Sequence, residues 1–353
     1  MKLRKLILNL HSIIGIVFGV FFIISGLTGS SIVFQSETDH ILNAGLMQVT
    51  PQAQIQSIDH ILIAGQQTHP DLRLQFIKFP QQQEETYLIS MKGTHGEQVE
   101  TYVNPYTAEV LGSRVWERSL MGFLFTLHYS LFLGTPGRIA IGVFGILLLL
   151  SVCTGTLLWS GWRNIKTGFK IRTQAPMYLF NYDLHNVGGI LTAVLLSLIA
   201  FTGCLIVLTQ FVLGSQTIAQ PIPTKTPIIM SQLLQKVNAA LPGGKISFVI
   251  FPEDQPSKII VSKRFSEQTT GEADLSSVEI DRYQGTILKA EKVLKPNLVF
   301  KVLSIITELH YGRFGGNATR IIYVFLGFTP LILLMTGLFI WRGGRQRKNL
   351  QAQ

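Results

Sequence analysis

The sequence is short of charge. Of its 353 residues, 14% are Asp, Glu, Lys or Arg and 47% are hydrophobic, whereas an ordinary soluble domain carries about 25% charge. That excludes a disordered chain, a fibrous chain and a typical cytosolic enzyme. Cysteine is nearly absent. The two residues, Cys153 and Cys204, exclude a disulfide scaffold and any cysteine-rich metal cluster. There is no Cys-x-x-Cys-His and therefore no covalent c-type haem. There is also no Gly-x-Gly-x-x-Gly or Walker-type loop to cradle a nucleotide phosphate.

Four long stretches carry no charge at all: 12–34, 139–159, 186–214 and 321–341, of 23, 21, 29 and 21 residues. A bilayer core takes about 20 apolar residues as helix, so four transmembrane helices are expected. Lys2, Arg4 and Lys5 precede the first stretch as in a secretory signal. An h-region of about 7–15 residues is the norm there, so a retained helix is the better reading. The expected division is helix one at 1–35, an outer module at 36–126, and a histidine segment plus helix two at 127–160. A cytoplasmic loop at 161–184 and helix three at 185–214 follow. A second outer module at 215–308, a histidine segment plus helix four at 309–342, and a basic tail at 343–353 complete the chain.

The net charge of +10 sits in three clusters. They are Lys2, Arg4 and Lys5; Arg163, Lys166, Lys170 and Arg172; and Arg342, Arg345, Arg347 and Lys348. Asp183 is the one acid among them, and the rest of the chain balances to zero. The positive-inside rule makes these flanks, and both termini, cytoplasmic. The charge therefore reports topology, and no nucleic-acid partner is implied. Cys153 falls near the inner end of helix two and Cys204 near the outer end of helix three, so no disulfide joins them.

The chain repeats itself. Each outer module begins with a helical stretch, 58–69 or 231–240, followed by alternating strand-like runs at 72–79, 86–91 and 98–103 or at 245–251, 258–262 and 277–287. Phe79-Pro80 and Phe251-Pro252 stand 172 residues apart, as do Ser90 and Ser262. Two small α+β modules are expected. Leu10-His11 and Leu184-His185 open helices one and three. Gly15, Gly19, Gly26 and Gly29 then match Gly189, Ala193, Ala200 and Gly203 as a stripe of small residues. Leu127-His128-Tyr129 matches Leu309-His310-Tyr311. Arg138 and Arg320, Thr154-Gly155 and Thr336-Gly337, and Trp159 and Trp341 follow at equal steps. Pro330 has no counterpart, since Leu148 takes its place, so a kink is expected in helix four alone.

Four of the eight histidines thus occupy repeat-equivalent helix ends. Topology puts His11 and His185 at the inner face and His128 and His310 at the outer face. A neutral imidazole is a good axial ligand for haem iron, and two at equal depth make a bis-histidine site. Arg138 and Arg320 suit propionates at the outer site, with interfacial anchoring of helix ends as the alternative role. No third ligand repeats with each pair, which disfavours zinc or copper. His40, His60, His69 and His95 do not repeat and read as surface residues of the first module.

The segments LHSIIG, LHYSLFLGTPGR, CTGTLLW, LHNVGG and LHYGRFGG, alternating with two outer modules, resemble the PepSY-associated transmembrane family over nearly the whole chain. Members include inner-membrane ferric-siderophore reductases of Gram-negative bacteria. The resemblance implies four helices, two PepSY-type periplasmic domains and two non-covalent b-type haems on His11, His185, His128 and His310. It also implies electron flow to a periplasmic ferric chelate. Some members carry a C-terminal flavin reductase domain. This chain stops shortly after Trp341, so a separate quinol or flavin reductase is the expected donor. PepSY modules are also associated with protease inhibition, so a non-enzymatic membrane-tethered regulator is the competing reading. A transporter is disfavoured, because the uncharged helix runs offer none of the intramembrane charges that carriers use.

Overall fold

A computed structural model describes residues 2–93, 96–213, 228–265, 276–293 and 297–351. His95 lies outside the described residues, as do the side chains of Arg345, Arg347 and Lys348. In chain order the elements begin with α1 (Lys2–Ser31), α2 (Gln35–Leu42), α3 (Ala44–Met47) and α4 (Ile58–Gln67). Strands β1 (Arg73–Lys78), β2 (Tyr87–Lys92), β3 (Gln98–Val103) and β4 (Val110–Val115) follow. Next come α5 (Leu120–Ser130), α6 (Gly134–Leu158), α7 (Ile165–Gly168), α8 (Met177–Leu213) and α9 (Met230–Ala240). Then come β5 (Lys245–Ile250), β6 (Lys258–Arg264), β7 (Ser276–Asp281) and β8 (Ile287–Glu291). The chain closes with α10 (Leu298–Tyr311), α11 (Gly316–Leu326) and α12 (Thr329–Gln351). They form two compact units, one helical and one built on a sheet.

Four helical segments of the first unit are long and apolar enough to cross a membrane: Lys2–Ser31, Gly134–Trp162, Met177–Phe211 and Gly316–Gly344. They form a closed ring in which α1 and α8 each pack against both α6 and α12. Their outward faces are apolar; Val194, for example, is 77% exposed, which suits lipid rather than water. Inward, small residues bring backbones together. A Cβ added to Gly26 would stand 2.5 Å from the carbonyl oxygen of Gly327, the close approach that small residues permit between membrane helices. The fourth crossing is broken between α11 and α12, just before Pro330. Proline tolerates the first turn of a helix, where its missing N–H has no partner to lose. The equivalent Leu148 lies inside the unbroken α6.

The second unit holds the strands. Two antiparallel modules of three strand-like runs each are expected from the duplication; the structure gives each module four strands and joins all eight into one sheet, in the order β4-β3-β2-β1-β5-β6-β7-β8. The seam pairs Phe76 with Ile250, Ile77 with Val249 and Lys78 with Phe248. Reciprocal bonds extend it: Phe79 N–H donates to Ser247 O at 2.9 Å and Phe251 N–H to Gln75 O at 2.8 Å. Joining the two central strands removes an exposed edge from each module. Helices α4 and α9 contact each other and contribute Ile61 and Leu233 to the core, against Ile77, Ile89, Val249 and Val261. Where the first module buries Met91, the second buries Lys263, which is 1% exposed. Its Nζ donates to Asn238 Oδ1 at 2.9 Å and to Leu241 O at 2.7 Å, at the C-terminal end of α9. The first module has its own polar device. Arg114 donates two bonds to Asp39 of α2, at 2.6 and 2.8 Å, and one to Glu100 of β3 at 2.9 Å.

Candidate functional site

The structure brings the four repeat-equivalent histidines together in two pairs. His11 of α1 and His185 of α8 have ring centroids 6.0 Å apart with planes at 83°. His128 of α5 and His310 of α10 have centroids 6.3 Å apart with planes at 43°. A metal–imidazole bond of about 2.0 Å on each side, with each ring centre a further 1.1–1.2 Å behind its nitrogen, gives about 6.3 Å for a bis-imidazole metal site. Both spacings fit a single iron held between two rings.

Each ring is held in the same way. His11 Nδ1 lies 3.0 Å from Ser151 O and 3.2 Å from Thr154 Oγ1. His185 Nδ1 lies 3.0 Å from Leu333 O and 3.0 Å from Thr336 Oγ1. His128 Nδ1 lies 3.0 Å from Ser25 O and 3.2 Å from Thr28 Oγ1. His310 Nδ1 lies 3.1 Å from Ile199 O and 3.1 Å from Thr202 Oγ1. A carbonyl only accepts, so Nδ1 carries the proton and Nε2 keeps its lone pair. Oxygen acceptors on the ring nitrogen that faces away from the metal orient metal-binding histidines in this manner.

A glycine follows each of these threonines and receives the Cε1 side of the ring. A Cβ added at Gly29, Gly155, Gly203 or Gly337 would meet the Cε1 of His128, His11, His310 or His185 at 2.9, 3.0, 3.0 or 3.4 Å. The cradles interlock. Helix α1 supplies His11 and cradles His128; α8 supplies His185 and cradles His310; α6 and α12 cradle His11 and His185. Sequence reasoning singles out Thr154-Gly155, Thr336-Gly337 and the small residues Gly29 and Gly203, but misses Thr28 and Thr202. The available signal is a Thr-Gly pair in every one of the four uncharged stretches.

Among the described residues no group of three or more His, Cys, Asp or Glu gathers to hold a metal, so each site offers two imidazoles. The arginines stand apart in their bonding. Arg138 donates to Tyr129 Oη at 3.2 Å and Thr135 Oγ1 at 2.8 Å, and its guanidinium lies over the Tyr129 ring. Arg320 donates to Val33 O at 2.9 Å and Asn317 Oδ1 at 3.2 Å, over the Phe34 ring. Of the other histidines, His60 is exposed and His40 bonds Gln48 at 2.7 Å. Cys153 and Cys204 are free thiols.

Fold and site define a multi-pass membrane protein in which duplicated helices carry paired histidines. The family model described as "PepSY-associated TM region" matches residues 8–343, and the chain belongs to that family. A stretch of 86 residues is 40% identical to "Uncharacterized protein PA4219" of Pseudomonas aeruginosa, covering 24% of this chain and 21% of that protein.

Proposed function

We infer that this protein is a di-haem electron carrier of a bacterial inner membrane, passing electrons to a periplasmic ferric chelate, chiefly a ferric siderophore. The observation that carries the reading is the pair of bis-imidazole sites, 6.0 and 6.3 Å between ring centres, each with both Nε2 lone pairs free for iron. Non-covalent b-type haem, when bound, supplies the one-electron chemistry, so no general base or nucleophile is required. His11 and His185 hold the inner iron and His128 and His310 the outer. Arg138 and Arg320 offer positive charge to the outer propionates.

The separation of the two levels is close to the thickness of the hydrocarbon core. Seventeen residues separate His11 from Thr28 on α1, and His185 from Thr202 on α8. At about 1.5 Å per residue that is roughly 26 Å, against a hydrocarbon core of about 30 Å. The basic flanks face the cytoplasm on this reading. The electron donor is a quinol or a flavin reductase, and the acceptor sits at the far face.

The test begins with pyridine haemochrome on the purified protein, where two b haems per chain are expected. Reduced haem in oriented vesicles should then reoxidise when a ferric siderophore is added on the outer side alone. Reoxidation by quinones but never by ferric chelates would sink the siderophore reading. A folded but colourless protein from haem-replete cells would leave a membrane-tethered regulator in its place.

A further inference from the structure

We propose that Thr28, Thr154, Thr202 and Thr336 are positioning residues that hold each ligating histidine in one ring orientation and bias its site toward the oxidised metal. The proposal rests on the di-haem reading and assigns it a second layer of residues. Its ground is the direction of eight hydrogen bonds. Each threonine hydroxyl has one proton, and its short bond runs to the carbonyl four residues back. Thr28 donates to Ile24 at 2.6 Å, Thr154 to Leu150 at 2.7 Å, Thr202 to Leu198 at 2.7 Å and Thr336 to Ile332 at 2.8 Å. With that proton committed, the oxygen meets the imidazole as an acceptor. The carbonyl three residues back is the second acceptor of the same Nδ1–H in all four sites. One N–H shared between two oxygens pins the ring in position and in rotation.

The electronic consequence follows. Two acceptors on Nδ1–H push electron density into the ring and make Nε2 a stronger donor. A stronger donor favours the metal ion of higher charge. The carbonyls belong to helix ladders and are the same for any sequence, so the threonine oxygen is the part the sequence controls. Back-bonding alone does not account for the arrangement, because threonine does this in helices generally. Thr192 of α8 donates to Gly188 O at 2.7 Å in the same manner and has no place in any of the four cradles, which makes it the internal control.

The experiment is a spectroscopic redox titration of full-length holoprotein, resolving the two haem components. Thr154→Val and Thr336→Val are expected to raise the midpoint potential of the inner component alone, and Thr28→Val and Thr202→Val that of the outer. A tenfold weaker hold on the oxidised metal alone, the low end of what losing such a hydrogen-bond partner costs, is a shift of about 59 mV for a one-electron couple. Thr→Ser at each position should hold the wild-type value, and Thr192→Val should move neither component. If a valine variant loses its haem while the serine variant keeps it, the positioning role stands. Unchanged potentials, shifts in both components, or serine variants that behave like valine overturn it. A wild-type protein without haem refutes the di-haem reading instead. Proton spectra of the four imidazole Nδ1–H groups then still test the positioning role: losing one of two acceptors should move the Nδ1–H signal upfield in the valine variants and not in the serine variants, and an unmoved signal overturns it.

Discussion

Adding one methyl group to each ring-facing glycine should separate the four cradles by haem content. The optimum carbon–carbon separation is about 3.5–4.0 Å. An alanine Cβ would stand 2.9 Å from His128 at position 29 and 3.0 Å from His11 and His310 at positions 155 and 203, but 3.4 Å from His185 at position 337. Three of the rings must therefore retreat by about 0.5 Å or more, which is the tolerance of a preorganised site. The fourth must move by only about 0.1 Å to reach that range. Overpacking of this kind costs about 1–3 kcal/mol, and 1.4 kcal/mol is about tenfold in binding. Gly29→Ala, Gly155→Ala and Gly203→Ala should each weaken haem at their own site by roughly 10- to 100-fold. Gly337→Ala should keep nearly all of it. The fold itself should survive, because alanine is favoured over glycine in a helix by about 1 kcal/mol. The assay is haemochrome stoichiometry after purification, with size-exclusion profile as the folding control. Equal losses at all four positions, or the largest loss at position 337, would refute the steric reasoning.

Histidine substitutions should sort by level. His128→Ala and His310→Ala are expected to remove the outer spectral component, and His11→Ala and His185→Ala the inner one. Difference spectra check this, and loss of one shared component from His11→Ala and His128→Ala would break the assignment. In the sheet unit, Arg114→Met leaves Asp39 and Glu100 buried without their cation, their side chains only 10% and 8% exposed. Breaking such a buried network costs about 3–5 kcal/mol, read as lost hydrogen-exchange protection in β3 and β4. Lys263 gives a pH test. Burial pulls its pKa below the ordinary 10.5, so between the two values the unfolded chain binds more protons and stability rises with pH. The thermal midpoint of the wild type should gain on that of Lys263→Met as pH climbs from 8 toward 10.5, and parallel curves would contradict the burial argument.

The fold class is legible in the sequence because its signals are local. An uncharged run of twenty-odd residues announces a membrane helix, and alternation announces a half-buried strand. The seam between β1 and β5 is not legible. Pairing Ile77 with Val249 joins segments some 170 residues apart, and nothing local to either strand names its partner. Strand β4 escapes as well, since Val110–Val115 carries Gly112 and has no fully buried residue to mark an inward face; β8 escapes because it is an outer strand with four of its five residues exposed. At the candidate site, the duplication marks the histidines as equivalent, but the direction of each ring is a property of packing. Thr28 and Thr202 look like ordinary members of a small-residue stripe until a ring is seen to sit on them. Arg138 and Arg320 are equivalent in sequence yet bond different partners, Tyr129 and Thr135 against Val33 and Asn317.

The duplication also explains why both levels use one design. Helix α1 carries a histidine at 11 and a cradle at 28–29, and α8 repeats this at 185 and 202–203. A step of 17 residues is about 4.7 turns at 3.6 residues per turn. The ligand and the cradle on one helix therefore differ in azimuth by roughly a quarter turn as well as by about 26 Å in height. His11 crosses to α6 for its cradle while Gly29 receives His128 from α5, so α1 gives to one neighbour and takes from another, as α8 does. That division constrains the spacing closely. One residue inserted between 11 and 28 would turn the upper cradle by about 100° and lift it about 1.5 Å, leaving His128 without its carbonyl, its threonine and its glycine together. The spacing is thus set by two requirements at once, the thickness of the membrane and the rotation of the helix. A length of 17 residues satisfies both, in each half of the chain.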